Sequence, residues 1–308
     1  MTVPRDAALL ARPAALVVLE SALAMADDAR DEAIALLHAR DDDPDAVHDF
    51  RVAVRRLRSW LQLWDAALDG AVPRKQRRKI RDIAHATGPA RDLQVHLEWL
   101  RGEEAGATGR ALADVERAIA DLVARRGDAM RDVHRAARTF IRRHASLSRR
   151  LSARCAELEV PEQGPTFGAA LAEQVELAAN ALRDRLTTVR GAARDAELHQ
   201  ARIAAKRLRY LVERAEHAVV GAPAMVRDLK QLQDLAGDAH DVHVFSRELR
   251  KIFKRSGVRG RRTLDVRLRQ RGAKAYSIVA QHWLEEESSG FFRRTATVAA
   301  RLRGGALR

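Results

Sequence analysis

A histidine followed at helical spacing by a ladder of cations occurs twice in this chain. The first run is His48, Arg51, Arg55, Arg56 and Arg58; the second, 151 residues later, is His199, Arg202, Lys206, Arg207 and Arg209. At about 100° per residue, His48, Arg51, Arg55 and Arg58 fall within an arc of roughly 80° on one helix face. Phe50, Val54, Leu57 and Leu61 take a different face, suited to burial. Cationic groups along one edge repel each other, so an extended anion is their natural partner. Arginine presents a planar fork of donors matched to phosphate oxygens, so phosphoryl groups are the chemistry to expect.

A second signature follows each ladder. Arg78 and Arg81 precede Gly88-Pro89-Ala90-Arg91-Asp92, and 149 residues on, Arg227 and Lys230 precede Gly237-Asp238-Ala239-His240-Asp241. Two motifs in one order at nearly one spacing indicate an internal duplication. The copies differ in useful ways. Lys206 stands where Arg55 does and loses the bidentate fork. His240 replaces Arg91, so the second copy is expected to be weaker and pH-sensitive. His48 and His199 are expected to contact phosphate, more strongly as they protonate; neighbouring arginines lower a histidine pKa, whereas bound phosphate raises it. The alternative is that they only fix the start of a helix. Asp92 and Asp241 are expected to orient arginines rather than bind a metal. His240 and His243 have helical spacing but no evident third ligand, so no metal site is expected.

The elements that must position these residues are helices. Apolar residues recur at three and four, and strand-like alternation is absent. The stretch from Ala14 to Leu37 reads as a first helix, despite an Ala24-Met25-Ala26 sequence that imitates a leader cleavage site. Asp43-Pro44 opens the ladder helix, Asp69-Gly70 closes it, and Pro73 opens a third helix that runs to about Gly102. A fourth run starts near Ala111, and residues 135–160 form an extra helical connector. The segment from Val160 to Pro165 divides the halves. Beyond it, helices are expected at about 166–189, 195–219, 223–254 and 261–288, with a loosely held basic tail from Ser288. The 308 residues carry a net charge of +14, 46% hydrophobic residues and 4% aromatics. That composition supports a folded core and argues against base-stacking platforms. One cysteine, Cys155, precludes an intrachain disulfide and points to a reducing compartment. No apolar run is long enough for a membrane span.

The two ladders, with the Gly-x-x-Arg-Asp-type turns that follow them, resemble the CHAD domain (conserved histidine α-helical domain) over about residues 13 to 295. The resemblance implies an all-α fold of two four-helix bundles related by internal pseudo-two-fold symmetry, one in residues 1–160 and one in 161–308. It further implies binding of inorganic polyphosphate through a central basic channel and association with polyphosphate granules in the cytoplasm. Carried over residue by residue, the binding set is His48, Arg51, Arg55, Arg56, Arg58, Arg78, Arg81 and Arg91 in the first half. In the second it is His199, Arg202, Lys206, Arg207, Arg209, Arg227, Lys230 and His240. No segment has the β-rich pattern of the triphosphate-tunnel domain to which some members are fused. Neither a P-loop nor an activated nucleophile is recognisable, so a non-catalytic binder without cofactors is expected. Non-specific nucleic-acid binding is the first alternative and a metal-dependent phosphohydrolase the second.

Overall fold

A computed structural model describes residues 5–40, 43–158, 164–189, 195–256, 261–284 and 288–304. The described residues form an all-α fold: α1 (Arg5–Leu10), α2 (Ala14–His38), α3 (Pro44–Leu63), α4 (Arg74–Ala86), α5 (Gly88–Glu104) and α6 (Gly109–Glu157). There follow α7 (Phe167–Thr188), α8 (Asp195–Val212), α9 (Ala222–Ser256), α10 (Arg261–Val279) and α11 (Ser288–Gly304). A 3-10 turn, Glu213–Ala215, extends α8, and a π turn, Ala280–Leu284, extends α10. Pairing of strand type among the described residues is a single bridge between Pro13 and Thr166. The expected boundary residues 160–163, together with Gly191 and Gly257, lie outside the described residues.

The chain forms two compact units: residues 18–162 with 249–261, and residues 1–17 with 163–248 and 262–308. In the first of these, α3 begins where Asp43 accepts hydrogen bonds from the Asp45 and Ala46 amides at 2.9 and 3.2 Å. Pro44 lies in the first turn, where a missing N–H costs nothing. The buried stripe of α3 (Phe50, Val54, Leu57, Trp60 and Leu61) is fixed from two sides. The Trp60 indole donates to the Val18 carbonyl at 3.0 Å, and Phe50 meets Phe140 of α6 edge-on at 6.4 Å. The expected fourth helix and connector are one continuous 49-residue helix, α6.

Three sequence expectations require correction. The ladder helix stops at Leu63 rather than at Gly70; residues 64–72 turn, with Gly70 at φ 83°. The third helix is two, broken at Thr87. Pro89 is the cause, since it supplies no amide for an unbroken ladder and disfavours helical geometry in the residue before it. In the second copy Asp238 stands at that position, and α9 runs through without interruption. The tail from Ser288 is a docked helix, not a loose one. In α11, Phe291, Phe292, Thr295, Val298, Ala299 and Leu302 are buried. Phe291 packs on Trp283 at 5.0 Å, and the Arg183 guanidinium lies 4.5 Å above the Phe292 ring. Those apolar positions recur at helical spacing, but surrounding arginines mask the pattern.

In this second unit α7 packs against α8, α11 and α1. Gly168 makes the close approach possible. A Cβ there would stand 2.7 Å from the Leu302 carbonyl oxygen and 3.2 Å from that of Leu10. Both obstacles are backbone and cannot swing aside. Gly168→Ala is therefore expected to cost about 1–3 kcal/mol. Urea unfolding should show the midpoint falling while far-UV dichroism of the folded state is unchanged.

Candidate functional site

Each unit carries its own candidate surface: α3 with α4 and the start of α5 in one, and α8 with α9 in the other. On α3, burial of the apolar stripe leaves the ladder at its margin. His48 and Arg56 are exposed, and Arg51, Arg55 and Arg58 are half-buried. Arg51 reaches across to the α4–α5 junction, where its Nη1 donates to Thr87 Oγ1 at 3.4 Å. The same nitrogen lies 3.7 Å from where a Cβ on Gly88 would be. Arg202 does the equivalent on α9. Its Nε donates to the Gln233 carbonyl at 3.1 Å and would stand 3.2 Å from a Cβ on Gly237. In each copy the first ladder arginine lies beside the glycine of the second motif; a Cβ at Gly237 would be tight, whereas one at Gly88 would make an ordinary contact. The two motifs are therefore spatial neighbours in both copies.

Between α3 and α4 lies a pocket of about 370 Å³ lined by Arg58, Leu61, Gln62, Asp65, Arg74, Arg77, Arg78, Ile80 and Arg81. It gathers three of the sequence-derived residues, Arg58, Arg78 and Arg81, and adds Arg74 and Arg77. The additions were legible as the i, i+3, i+4, i+7 row leading to Arg81. Arg77 is occupied in holding the turn before α4. Its Nε donates to the Val72 carbonyl at 2.8 Å, and its guanidinium pairs with Asp65 and Asp69. Arg74, Arg78 and Arg81 differ from it in pairing with neither of those carboxylates. Arg51, Arg55 and Arg91 do not line this pocket, and Arg91 lies on α5 with Glu98 at 4.0 Å.

The second copy is chemically different. Arg209 donates through Nε to Gln233 Oε1 at 3.2 Å and through Nη1 to Glu213 Oε1 at 2.5 Å. Its guanidinium also lies 5.0 Å from the Tyr210 ring centre. Glu213, Pro223 and Val226 stand where the first copy has Gln62, Arg74 and Arg77. Arg207 is exposed, and Lys206 is half-buried. Copy one therefore gathers more positive charge around its pocket than copy two has at the matching positions.

His199 and His240 stack with ring centres 4.2 Å apart and planes inclined by 33°. Burial, reinforced by the charge of His240, Arg202 and Lys206, pushes the His199 pKa down to about 4. The lowering agrees in direction with the effect expected of neighbouring cations in the ligand-free chain. The His199 Nδ1 is buried without a hydrogen-bond partner among the described residues. The His243 side chain lies outside the described residues. Among the described residues, no group of three or more His, Cys, Asp or Glu side chains is placed to hold a metal ion. None of the described helices is long and apolar enough to cross a membrane.

A histidine whose pKa is lower folded than unfolded binds its proton preferentially in the unfolded chain. The stability it contributes is complete above pH 6.5 and is lost as pH falls toward about 4. His199→Gln is expected to flatten the decline in urea midpoint between about pH 7 and pH 4.5. An unchanged decline would place the proton uptake on other groups.

The family model of the CHAD domain matches residues 19–250. The fold is similar to the crystal structure of the CHAD domain from the plant Ricinus communis, with a TM-score of 0.63 at 19% identity. That match covers 91% of this chain and 92% of the other. It is also similar to PptA from Streptomyces chartreusis, with a TM-score of 0.69 at 17% identity, covering 89% of this chain and 100% of that one. At such identities the likeness speaks for the fold alone. No curated protein matches the chain. The duplicated ladder, the all-helical fold and the extent of the family match together place this chain in the CHAD domain family.

Proposed function

We propose that this protein binds inorganic polyphosphate through the basic ladder surfaces of its two halves, without altering the polyphosphate chain, and associates with polyphosphate granules in the cytoplasm. The observation that carries this reading is the α3–α4 pocket, where Arg58, Arg74, Arg78 and Arg81 surround one volume of about 370 Å³. Polyphosphate offers closely spaced anionic oxygens and no bases. The pocket matches that chemistry with guanidinium forks and has no aromatic residue in its lining. The family resemblance supplies the ligand class; the pocket supplies the donors. Nucleic-acid phosphates share those donors, so competition separates the two ligands. Long polyphosphate should displace duplex DNA at far lower phosphate concentration than the reverse.

The two copies should contribute unequally. Arg58, Arg78 and Arg81 face a pocket that Arg74 also lines, whereas Arg209 is already held by Glu213 and Gln233. With about 1.5–3 kcal/mol per charge-assisted contact, and sums that are not additive, Arg58→Gln with Arg78→Gln and Arg81→Gln should weaken polyphosphate binding at least about tenfold. The matching set Arg209→Gln, Arg227→Gln and Lys230→Gln should cost less than about threefold on the same scale. Titration with a polyphosphate of defined length at fixed salt checks the order, and equal losses would reject the unequal assignment. Incubation with polyphosphate and Mg²⁺ or Mn²⁺ should leave chain length unchanged on a gel; shortening would make the protein a phosphohydrolase.

A further inference from the structure

The long helix α6 treats its arginines in two ways. Along its first half four of them pair with a carboxylate three or four residues before: Arg117 with Asp114, Arg125 with Asp121, Arg131 with Asp128 and Arg135 with Asp132. After Asp132 this pattern stops. Residues 136–156 contain six arginines and no Asp or Glu. Arg138, Arg142, Arg143, Arg149 and Arg150 are all exposed. Among the described residues, Arg138, Arg143, Arg149 and Arg150 have no ion-pair partner, and Arg142 donates to Thr139 Oγ1 at 3.1 Å. Asp27 of α2 does reach this stretch, but it is engaged by His144 on the inner face at 2.7 Å and by Arg30 at 3.7 Å.

The geometry orders these charges. At about 100° per residue, Arg138, Arg142 and Arg149 fall within roughly 40° of one another, on the side away from the buried Val133, Phe140, Leu147 and Leu151. Arg150 and Arg143 form a second row beside them, and the set spans roughly 18 Å of helix. Phe140 packs on Phe50 of the ladder helix, so α3 lies on the inner side of α6 and the arginine rows look the other way. The rows are thus a different surface from the α3–α4 pocket. Between the arginines this face exposes Ala145, Ser146, Ser152 and Ala153, small residues with neither an aromatic ring nor an amide to read a base. Like charges left without counterions at this density favour a flexible polyanion that supplies one charge per contact.

We propose that the outer face of α6 over Arg138–Arg150 is a second polyphosphate-binding surface, independent of the ladders, through which one molecule holds two phosphate strands. The proposal rests on the polyphosphate reading above and extends it from retention to bridging. The pocket variant carrying Arg58→Gln, Arg78→Gln and Arg81→Gln should keep a weaker, salt-sensitive binding of long polyphosphate. Adding Arg138→Gln, Arg142→Gln, Arg149→Gln and Arg150→Gln should reduce that residual affinity about tenfold or more at low salt. In the otherwise natural protein, the same four changes should abolish the turbidity that bridging produces with long polyphosphate, while leaving affinity for short chains within about twofold. The four Arg→Lys changes, which keep the charge and control for folding, should preserve both signals. Residual binding and turbidity unaffected by the glutamine set would overturn the second surface. So would a loss confined to duplex DNA, which would make the face a nucleic-acid surface. A natural protein that retained no polyphosphate would instead remove the ladder reading.

Discussion

Like-charged guanidinium groups can be held along one edge of a helix only if something else fixes that helix more strongly than the charges push it apart. In α3 the counterweight is the buried stripe of Phe50, Val54, Leu57, Trp60 and Leu61. Each such side chain contributes about 1.5–3 kcal/mol on burial, against repulsions of a few tenths of a kcal/mol per like-charged pair on an exposed helix. The apolar term wins by a wide margin. The ladder is therefore held in place by packing on the adjoining face of its own helix. Amphipathic burial is the constraint from which the cationic surface follows.

Duplication supplied two such surfaces, and they have diverged in how their charge is spent. In the first copy α4 brings an additional arginine row to the pocket. In the second, Glu213 and Gln233 hold Arg209, and the stacked His199 and His240 stand where the first copy has His48 and Arg91. A half that spends its arginines on internal hydrogen bonds gains a better-fixed helix pair and loses attraction for an anion.

Much of this was legible from residue order. The ladders, the repeated glycine motifs and the all-helical class follow from period and spacing, which local backbone geometry dictates. Arg74 and Arg77 were visible as members of the row ending at Arg81, and Glu213 as the residue four after Arg209. Other features were not. The docking of α11 is obscured because Arg293 and Arg294 follow Phe291 and Phe292 directly and Arg301 and Arg303 flank Leu302, and dense charge imitates exposure. The break at Thr87 is announced by Pro89, yet the helical pattern on either side continues as if it were absent.

What the sequence alone determined is that the chain is helical and, in the two ladder helices, which face is apolar and which carries the cations, because these depend on contacts within three or four residues. Only the tertiary structure decided how each cation is engaged. Arg209 is held by Gln233 from 24 residues away, Arg51 rests against Gly88, and burial, with His240 stacked beside it, lowers the His199 pKa. Charge and protonation respond to burial and to partners brought from distant helices, and no local period in the chain encodes those distances.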